Sequence, residues 1–283
     1  MSASKKPTKQ MMESLHAKSN GAKYPKSPLR YPGGKARAVE IILRLIPGNI
    51  KELVSPFLGG GSVEIAAASL GVRVKGFDIF EPLVHFWQAL KNDPEELVRR
   101  VRKYYPLPKE KFYELQKASI DDPMESGAIF YVLNRSSFSG ATLSGGMGPG
   151  HLRFTESSIS YLSQFKAPSL SVDFGDFHEV IPASNAFMYL DPPYLIRDSL
   201  YGRKGDTHKG FDHAGLCELL KKREAWILSY NNCPEIMEMY SGHQMIVPEW
   251  AYGMANDKKS RELLILSKDI SSSQPPTQPN LFS

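Results

Sequence analysis

Cysteine is scarce in this sequence of 283 residues, which contains only Cys217 and Cys233. Two cysteines cannot build a disulfide framework, and they favour a reducing compartment. Neither belongs to a Cys-x-x-Cys pair, and no histidine cluster has zinc-ligand spacing, so we expect no metal cofactor. The sequence also lacks an apolar run near the ~20 residues that span a bilayer, and its start lacks the apolar stretch of a signal peptide. We therefore expect no membrane partner and a cytoplasmic location.

Charge is distributed unevenly along the chain. Residues 1–37 hold nine Lys or Arg and one acid, whereas the rest of the chain holds 26 basic and 29 acidic residues. A basic arm suits the approach to a polyphosphate, and it equally suits a solubilising tail, so charge alone does not separate the two. Composition predicts that residues 1–26 and the Pro-rich residues 270–283 are disordered ends.

Between these ends, short apolar runs alternate with amphipathic stretches, a pattern typical of an α/β fold with a mostly parallel sheet. The predicted strands are Glu52–Ser55, Val72–Phe77, Ser169–Phe174, Phe187–Leu190, Trp226–Ser229, Gln244–Val247 and Leu263–Leu266. Residues 95–165 interrupt the alternation with helical patterns and a loop, residues 136–150, that has five Gly and four Ser. We interpret residues 27–94 and 166–269 as one domain and residues 95–165 as an inserted subdomain.

The first candidate site is a glycine-rich segment, Phe57-Leu58-Gly59-Gly60-Gly61, that follows a predicted strand and opens a helix. Glycines in this position let backbone N–H groups approach a ligand. Asp78 follows the next predicted strand, where a carboxylate can bind two ribose hydroxyls. Glu64 stands where a dinucleotide fingerprint has its third glycine, and its charge would repel a pyrophosphate. A nucleoside ligand therefore fits better than a nicotinamide dinucleotide, and a plain tight turn is the alternative.

The second candidate site, Asp191-Pro192-Pro193-Tyr194, follows an apolar strand. Two prolines fix the turn and remove two N–H donors, which leaves the Pro192 carbonyl free to accept. Asp191 and that carbonyl can then hold both hydrogens of one exocyclic NH₂ group, while the Tyr194 ring stacks on the base. Holding the hydrogens in this way favours a pyramidal nitrogen whose lone pair can attack an electrophile.

These segments, in this order, resemble the Dam-type DNA adenine-N6 methyltransferases of the alpha group. Arg30-Tyr31-Pro32-Gly33-Gly34-Lys35 is similar to the family's N-terminal motif, Phe57–Gly61 to its cofactor loop, and Asp191–Tyr194 to its catalytic motif. Asn134-Arg135-Ser136-Ser137-Phe138-Ser139-Gly140 is similar to its target-reading stretch, with Ser139 in place of the usual Asn. The resemblance implies a Rossmann-like methyltransferase sheet of about seven strands with an inserted helical target-recognition subdomain.

The resemblance also implies S-adenosylmethionine as cofactor, without a metal. The catalytic residues would be Asp191, Pro192, Pro193 and Tyr194. The cofactor-binding residues would be Tyr31, Lys35, Phe57, Gly59, Gly61, Asp78, Asp176, Phe177 and Asp191. Asp78 would hold the ribose, and Asp176 with Phe177 would flank the adenine, although either aspartate can simply cap the next helix. The DNA-binding residues would be Asn134, Arg135, Ser136, Phe138 and Ser139.

The expected function is methyl transfer to the N6 amino group of adenine in double-stranded DNA, after the base is flipped out of the helix. Cytosine-N4 or RNA adenine methylation with the same cofactor is the alternative, because both amino groups present the same two hydrogens. A nicotinamide oxidoreductase and an inactive nucleic-acid-binding module are the readings from other classes. Gln278-Pro279-Asn280-Leu281-Phe282 resembles the peptides that dock on bacterial sliding clamps, and a cognate restriction endonuclease is a second expected partner, in a bacterial or phage-infected cell.

Overall fold

A seven-stranded sheet forms the centre of the structure, a computed structural model that describes residues 24–30, 35, 38–140, 142–143, 145–147, 153–195, 210–248 and 262–273. In chain order the strands are β1 Glu52–Ser55, β2 Arg73–Asp78, β3 Leu170–Phe174, β4 Phe187–Leu190, β5 Trp226–Asn231, β6 Gln244–Ile246 and β7 Glu262–Leu266. All seven predicted strands are present, and their ends shift by at most two residues. The predicted seven-stranded α/β fold is therefore confirmed.

The strands lie in the order β3-β2-β1-β4-β5-β7-β6. The five strands from β1 to β5 are parallel, whereas β7 runs antiparallel to both β5 and β6. The order reverses between β1 and β4, so the connections that leave these two strands depart in opposite directions. Such a reversal opens a crevice at the carboxyl ends of the strands, which is where open α/β sheets bind their ligands.

Helices connect the strands and cover both faces of the sheet. They are α1 Val39–Leu45, α2 Ser62–Ser69, α3 Glu81–Asn92, α4 Pro94–Arg102, α5 Lys109–Leu115, α6 Pro123–Ser136, α7 Glu156–Gln164, α8 Phe177–Ala183, α9 His213–Lys221, α10 Pro234–Met239 and α11 Lys268–Ser273. A short 3₁₀ helix, Phe138–Gly140, follows α6. Across the described ranges, none of the helices is long and apolar enough to cross a membrane.

The core has two parts because successive side chains of a strand point to opposite faces of the sheet. Leu53 of β1 belongs to the larger apolar cluster, and its neighbour Val54 belongs to the smaller one. The helices between β2 and β3 contribute Leu97, Phe112 and Phe130 to the same cluster as Leu53. Residues 95–165 therefore share their apolar core with one face of the sheet.

Helix α6 lies against α3 at a close backbone contact that Gly127 permits. A Cβ atom at position 127 would lie 2.8 Å from the backbone of His85 and Phe86. Backbone atoms cannot move aside as the end of a flexible side chain can, so this position requires glycine although it is in the middle of a helix. The α3–α6 contact in turn anchors the region that follows α6.

We predict that Gly127→Ala lowers the free energy of unfolding by about 1–3 kcal/mol, because the added methyl group overpacks a rigid contact. Gly242→Ala is the matched control, since a Cβ there meets no atom within 4 Å and the substitution should be neutral or stabilise by up to about 1 kcal/mol. Denaturant unfolding of the two variants measures both values. Equal stability of the two variants would contradict the close α3–α6 contact.

Candidate active site

The glycine-rich loop follows β1 at the carboxyl edge of the sheet. Gly59 and Gly61 have φ angles of 48° and 64°, a left-handed conformation that side chains with a Cβ rarely adopt. A side chain of α3 holds the loop, because the Trp87 indole donates to the Gly59 carbonyl at 3.1 Å. The backbone geometry, more than any side chain, therefore explains the glycines that the sequence has here.

Asp78 ends β2 beside this loop and joins the two segments. One carboxylate oxygen accepts from the Gly59 N–H at 3.0 Å, and the other accepts from the Phe80 N–H at 3.0 Å. Burial raises the pKa of the Asp78 carboxyl, while these backbone donors oppose the rise. Each oxygen keeps a second lone pair, so the carboxylate can still accept hydrogen bonds from a bound ligand.

The third segment of this edge follows β3. Asp176 caps helix α8, because its carboxylate accepts from the His178 N–H at 2.8 Å. Phe177 is buried, and its ring centroid lies 5.5 Å from that of Phe57. Exposed apolar side chains stand next to these residues, since Ile79 is 62% and Phe174 is 56% exposed. Apolar surface beside a carboxylate and a glycine loop suits a ligand with a flat ring and a polar sugar.

The Asp191–Tyr194 segment follows β4, the strand next to β1. The Asp191 side chain is 23% exposed, and one of its oxygens lies 2.7 Å from the Lys35 ammonium. Within the part of the chain that the structure describes, no donor reaches the Pro192 carbonyl. The segment that carries the predicted pair of acceptors therefore follows β4 at the edge where β1 and β4 end.

Lys35 is the centre of a buried polar cluster. Its Nζ atom donates to the Tyr194 hydroxyl at 2.8 Å and lies 3.7 Å from Glu262. The Tyr194 hydroxyl in turn donates to Glu262. Burial raises the pKa of Asp191, while the Lys35 charge and its hydrogen bond oppose that rise. A single ammonium therefore helps to keep the Asp191 carboxylate in its charged form.

Glu64 lies under the glycine loop and faces inward. Its carboxyl accepts a hydrogen bond from the Ser55 hydroxyl at 2.6 Å, and its side chain is almost fully buried. Burial raises the pKa of Glu64 to about 7. The residue that replaces the third glycine of a dinucleotide fingerprint is therefore an internal hydrogen-bonding group.

The five residues predicted to bind DNA have different environments. Asn134 is fully buried, and its amide bonds to both backbone groups of Arg30, at 2.8 and 2.7 Å. Ser136 is buried as well, and Arg135 donates to the Arg153 carbonyl at 2.9 Å. Phe138 is 66% exposed. Asn134 and Ser136 thus present no side-chain surface to a ligand in this structure, whereas Phe138 does.

The loop after α6 is joined to the segment at Arg30 by close contact. A Cβ atom on Gly140, whose φ is 80°, would lie 2.1 Å from the Arg30 carbonyl oxygen. Asn134 also donates to the Gly140 carbonyl at 3.3 Å. The Asn134 amide therefore ties helix α6, the exposed Phe138 loop and the Arg30 segment together.

Two predicted segments and one predicted side chain lie outside the described residues. Tyr31 and the Gln278–Phe282 segment lie outside the described residues, and the backbone of Ser139 is described without its side chain. Asn231 and Glu262 are not among the residues predicted from the sequence, yet they pair across β5 and β7 and contact the segment at Tyr194. Glu262 stands directly before the apolar run of β7. An antiparallel last strand begins at the edge where the parallel strands end, so a carboxylate in this position can reach the site.

Comparison with known proteins identifies the family. The family model for D12 class N6 adenine-specific DNA methyltransferases matches residues 31–254. A DNA adenine methylase of Vibrio cholerae is 25% identical over 243 residues, which are 77% of this chain and 86% of the relative. A DNA N-6-adenine-methyltransferase of Escherichia phage P1 is 26% identical over 240 residues, 77% of this chain and 31% of that longer relative. The chain belongs to the D12 class of N6 adenine-specific DNA methyltransferases.

Proposed function

We propose that this protein transfers a methyl group from S-adenosylmethionine to the N6 amino group of an adenine that is flipped out of double-stranded DNA. The observation that carries the proposal is that the Asp191–Tyr194 segment follows β4, directly beside the strand β1 that leads into the glycine loop. Two acceptors at a strand end suit an NH₂ group, and the loop beside them suits a nucleoside. The family's adenine-specific name favours this acceptor over cytosine N4 and over RNA.

The residues around the loop fit the proposed cofactor. Gly59 and Gly61 let the backbone approach it, Asp78 has lone pairs for ribose hydroxyls, and the exposed Ile79 and Phe174 can cover a purine ring. Lys35 and Tyr31 are proposed at its amino-acid end, and Phe57, Asp176 and Phe177 at its adenine. When bound, the cofactor supplies a sulfonium methyl group that is already a strong electrophile.

The protein's own part in the reaction is to position the acceptor. Asp191 and the Pro192 carbonyl accept the two amino hydrogens, which turns the nitrogen lone pair toward the donor. The Asp191 carboxylate can also take the proton that the methylated nitrogen releases. Holding two reactants in line is worth several kcal/mol of barrier in general, so no covalent intermediate on the protein is required.

Extraction of the base from DNA requires compensating contacts, because unstacking costs a few kcal/mol. Phe138 is the exposed aromatic side chain of the predicted recognition loop, and apolar wedges of this kind fill the space between base steps. Arg135 and Ser139 are proposed to lie near the same DNA strand, with Asn134 and Ser136 supporting the loop from inside. The Tyr194 ring, half-buried beside Asp191, is proposed to stack on the flipped base.

We propose two partners besides DNA, a restriction endonuclease and a sliding clamp. A modification methylase of Streptococcus sanguinis is 28% identical over 217 residues, and a cognate restriction endonuclease for the present chain is proposed by analogy. The sliding-clamp contact rests on the Gln278–Phe282 sequence alone.

We predict that Asp191→Asn lowers kcat by about 10³-fold or more, because a neutral amide oxygen is a weaker acceptor than a carboxylate and cannot take the proton that the methylated nitrogen releases. S-adenosylmethionine binding should persist, since the loop after β1 is unchanged. Tritiated methyl transfer onto adenine-containing duplex DNA and calorimetric cofactor binding measure the two effects. Asp121→Asn is the control, because Asp121 is exposed on the loop before α6. Full activity of Asp191→Asn would refute the mechanism.

We predict that Phe138→Ala weakens DNA binding and base flipping by about tenfold without lowering the melting temperature, because an exposed side chain contributes little to the fold. Fluorescence of 2-aminopurine at the target position reports flipping. Met237→Ala, which truncates an exposed apolar side chain on α10, should change neither quantity. Unchanged flipping in Phe138→Ala would remove this residue from the proposed DNA interface.

A further inference from the structure

A buried carboxylate outside the predicted motifs, Glu262, contacts the catalytic segment. It is the first residue of β7, its side chain is 3% exposed, and it lies opposite Asn231 of β5. Because β7 is antiparallel, its first residue lies at the same edge of the sheet as the end of β4. Glu262 therefore contacts Tyr194 and Lys35 from the β5–β7 side of β4, whereas the glycine loop lies on the β1 side.

The pair formed by Asn231 and Glu262 holds the last residue of the Asp191–Tyr194 segment and the residue that follows it. The Asn231 amide accepts from the Leu195 N–H and donates to the Leu195 carbonyl, both at 3.0 Å. Glu262 accepts from the hydroxyl of the preceding residue, Tyr194. Neighbouring strands thus fix the main chain of one residue and the side chain of the other, which limits the rotation of the Tyr194 ring.

The hydrogen bonds around Tyr194 have one direction. Lys35 donates to the Tyr194 oxygen, and the Tyr194 hydroxyl donates to Glu262. The same ammonium also faces Asp191 at 2.7 Å, so it is shared between two carboxylates. When a substrate amino group donates to Asp191, the Lys35 ammonium needs another counter-ion, because an unpaired buried charge is costly.

We propose that Glu262 is a positioning residue for methyl transfer, which orients the Tyr194 ring and serves as the second counter-ion of Lys35 while Asp191 holds the amino group. The expected effect on kcat rests on the proposed function, whereas the expected effect on the pKa of Asp191 holds without it. Glu262 acts through Tyr194 and Lys35 and needs no contact with the reacting atoms.

Three other ionisable groups of the described residues lie near Asp191, and all three are neutral in the acid range. Burial raises the pKa of Tyr189 and of Tyr194 well above the usual range for a phenol. Glu64, with a pKa of about 7, carries a proton below neutral pH. Within the described part of the chain, Lys35 and Glu262 are then the charged side chains left to act on Asp191.

The test is the pH dependence of kcat in Glu262→Gln, which keeps an oxygen that can accept from Tyr194. Asp191 works as a carboxylate, so the rate is lost as pH falls through its pKa. Removing the Glu262 charge takes one competing carboxylate from Lys35 and strengthens its pairing with Asp191, which lowers the pKa of Asp191 and moves the acid limb to lower pH by about one unit. The plateau kcat should fall about tenfold, because Lys35 then competes with the amino group. Lys35→Met should move the limb the opposite way.

Glu64→Gln is the matched control, since it replaces a buried carboxyl that is already neutral below pH 7 and should leave the acid limb in place. Carbon-13 NMR titration of the Asp191 carboxyl, assigned with Asp191→Asn, follows the same shift without turnover. An acid limb and an Asp191 titration in Glu262→Gln that match the wild type would overturn the proposal. Absence of methyl transfer by the wild type would instead reject the proposed function, and the NMR shift would still decide the role of Glu262.

Discussion

The structure depends on the meeting of the carboxyl ends of β1 and β4 at the centre of the sheet. A parallel pair brings the glycine loop and the Asp191 segment to one edge although they are about 130 residues apart in sequence. The reversal of strand order keeps this edge open, because the following helices turn to opposite sides. A nucleoside cofactor and an acceptor amino group can therefore occupy adjoining parts of one crevice.

The second constraint is electrostatic. Burial favours the protonated form of a carboxyl group, and a protonated Asp191 would lose an acceptor oxygen. The buried Lys35 ammonium opposes this tendency, and Tyr194 and Glu262 hold the ammonium in place. The Asp191–Tyr194 segment thus contacts three parts of the chain, which are Lys35 before α1, strand β4 and the ends of β5 and β7.

The positions of the strands and the two main motifs could be predicted from the sequence, because apolar runs, a run of glycines and a turn with two prolines are local patterns. The position of Glu262 before the apolar run of β7 is visible in the sequence, but its contacts depend on the antiparallel direction of β7, which no local pattern encodes. Asn134 shows the converse limit. Its position in a motif predicted a DNA contact, but whether an amide faces outward or bonds to a distant backbone such as Arg30 is decided by tertiary contacts.

The most direct measurement is a crystal structure of the protein with a non-reactive cofactor analogue and duplex DNA that contains the target adenine. The account predicts an extruded adenine whose N6 atom lies within about 3.2 Å of both an Asp191 oxygen and the Pro192 carbonyl oxygen, with Lys35 closer to Glu262 than to Asp191. An extruded adenine whose amino group faces away from these two oxygens would contradict it.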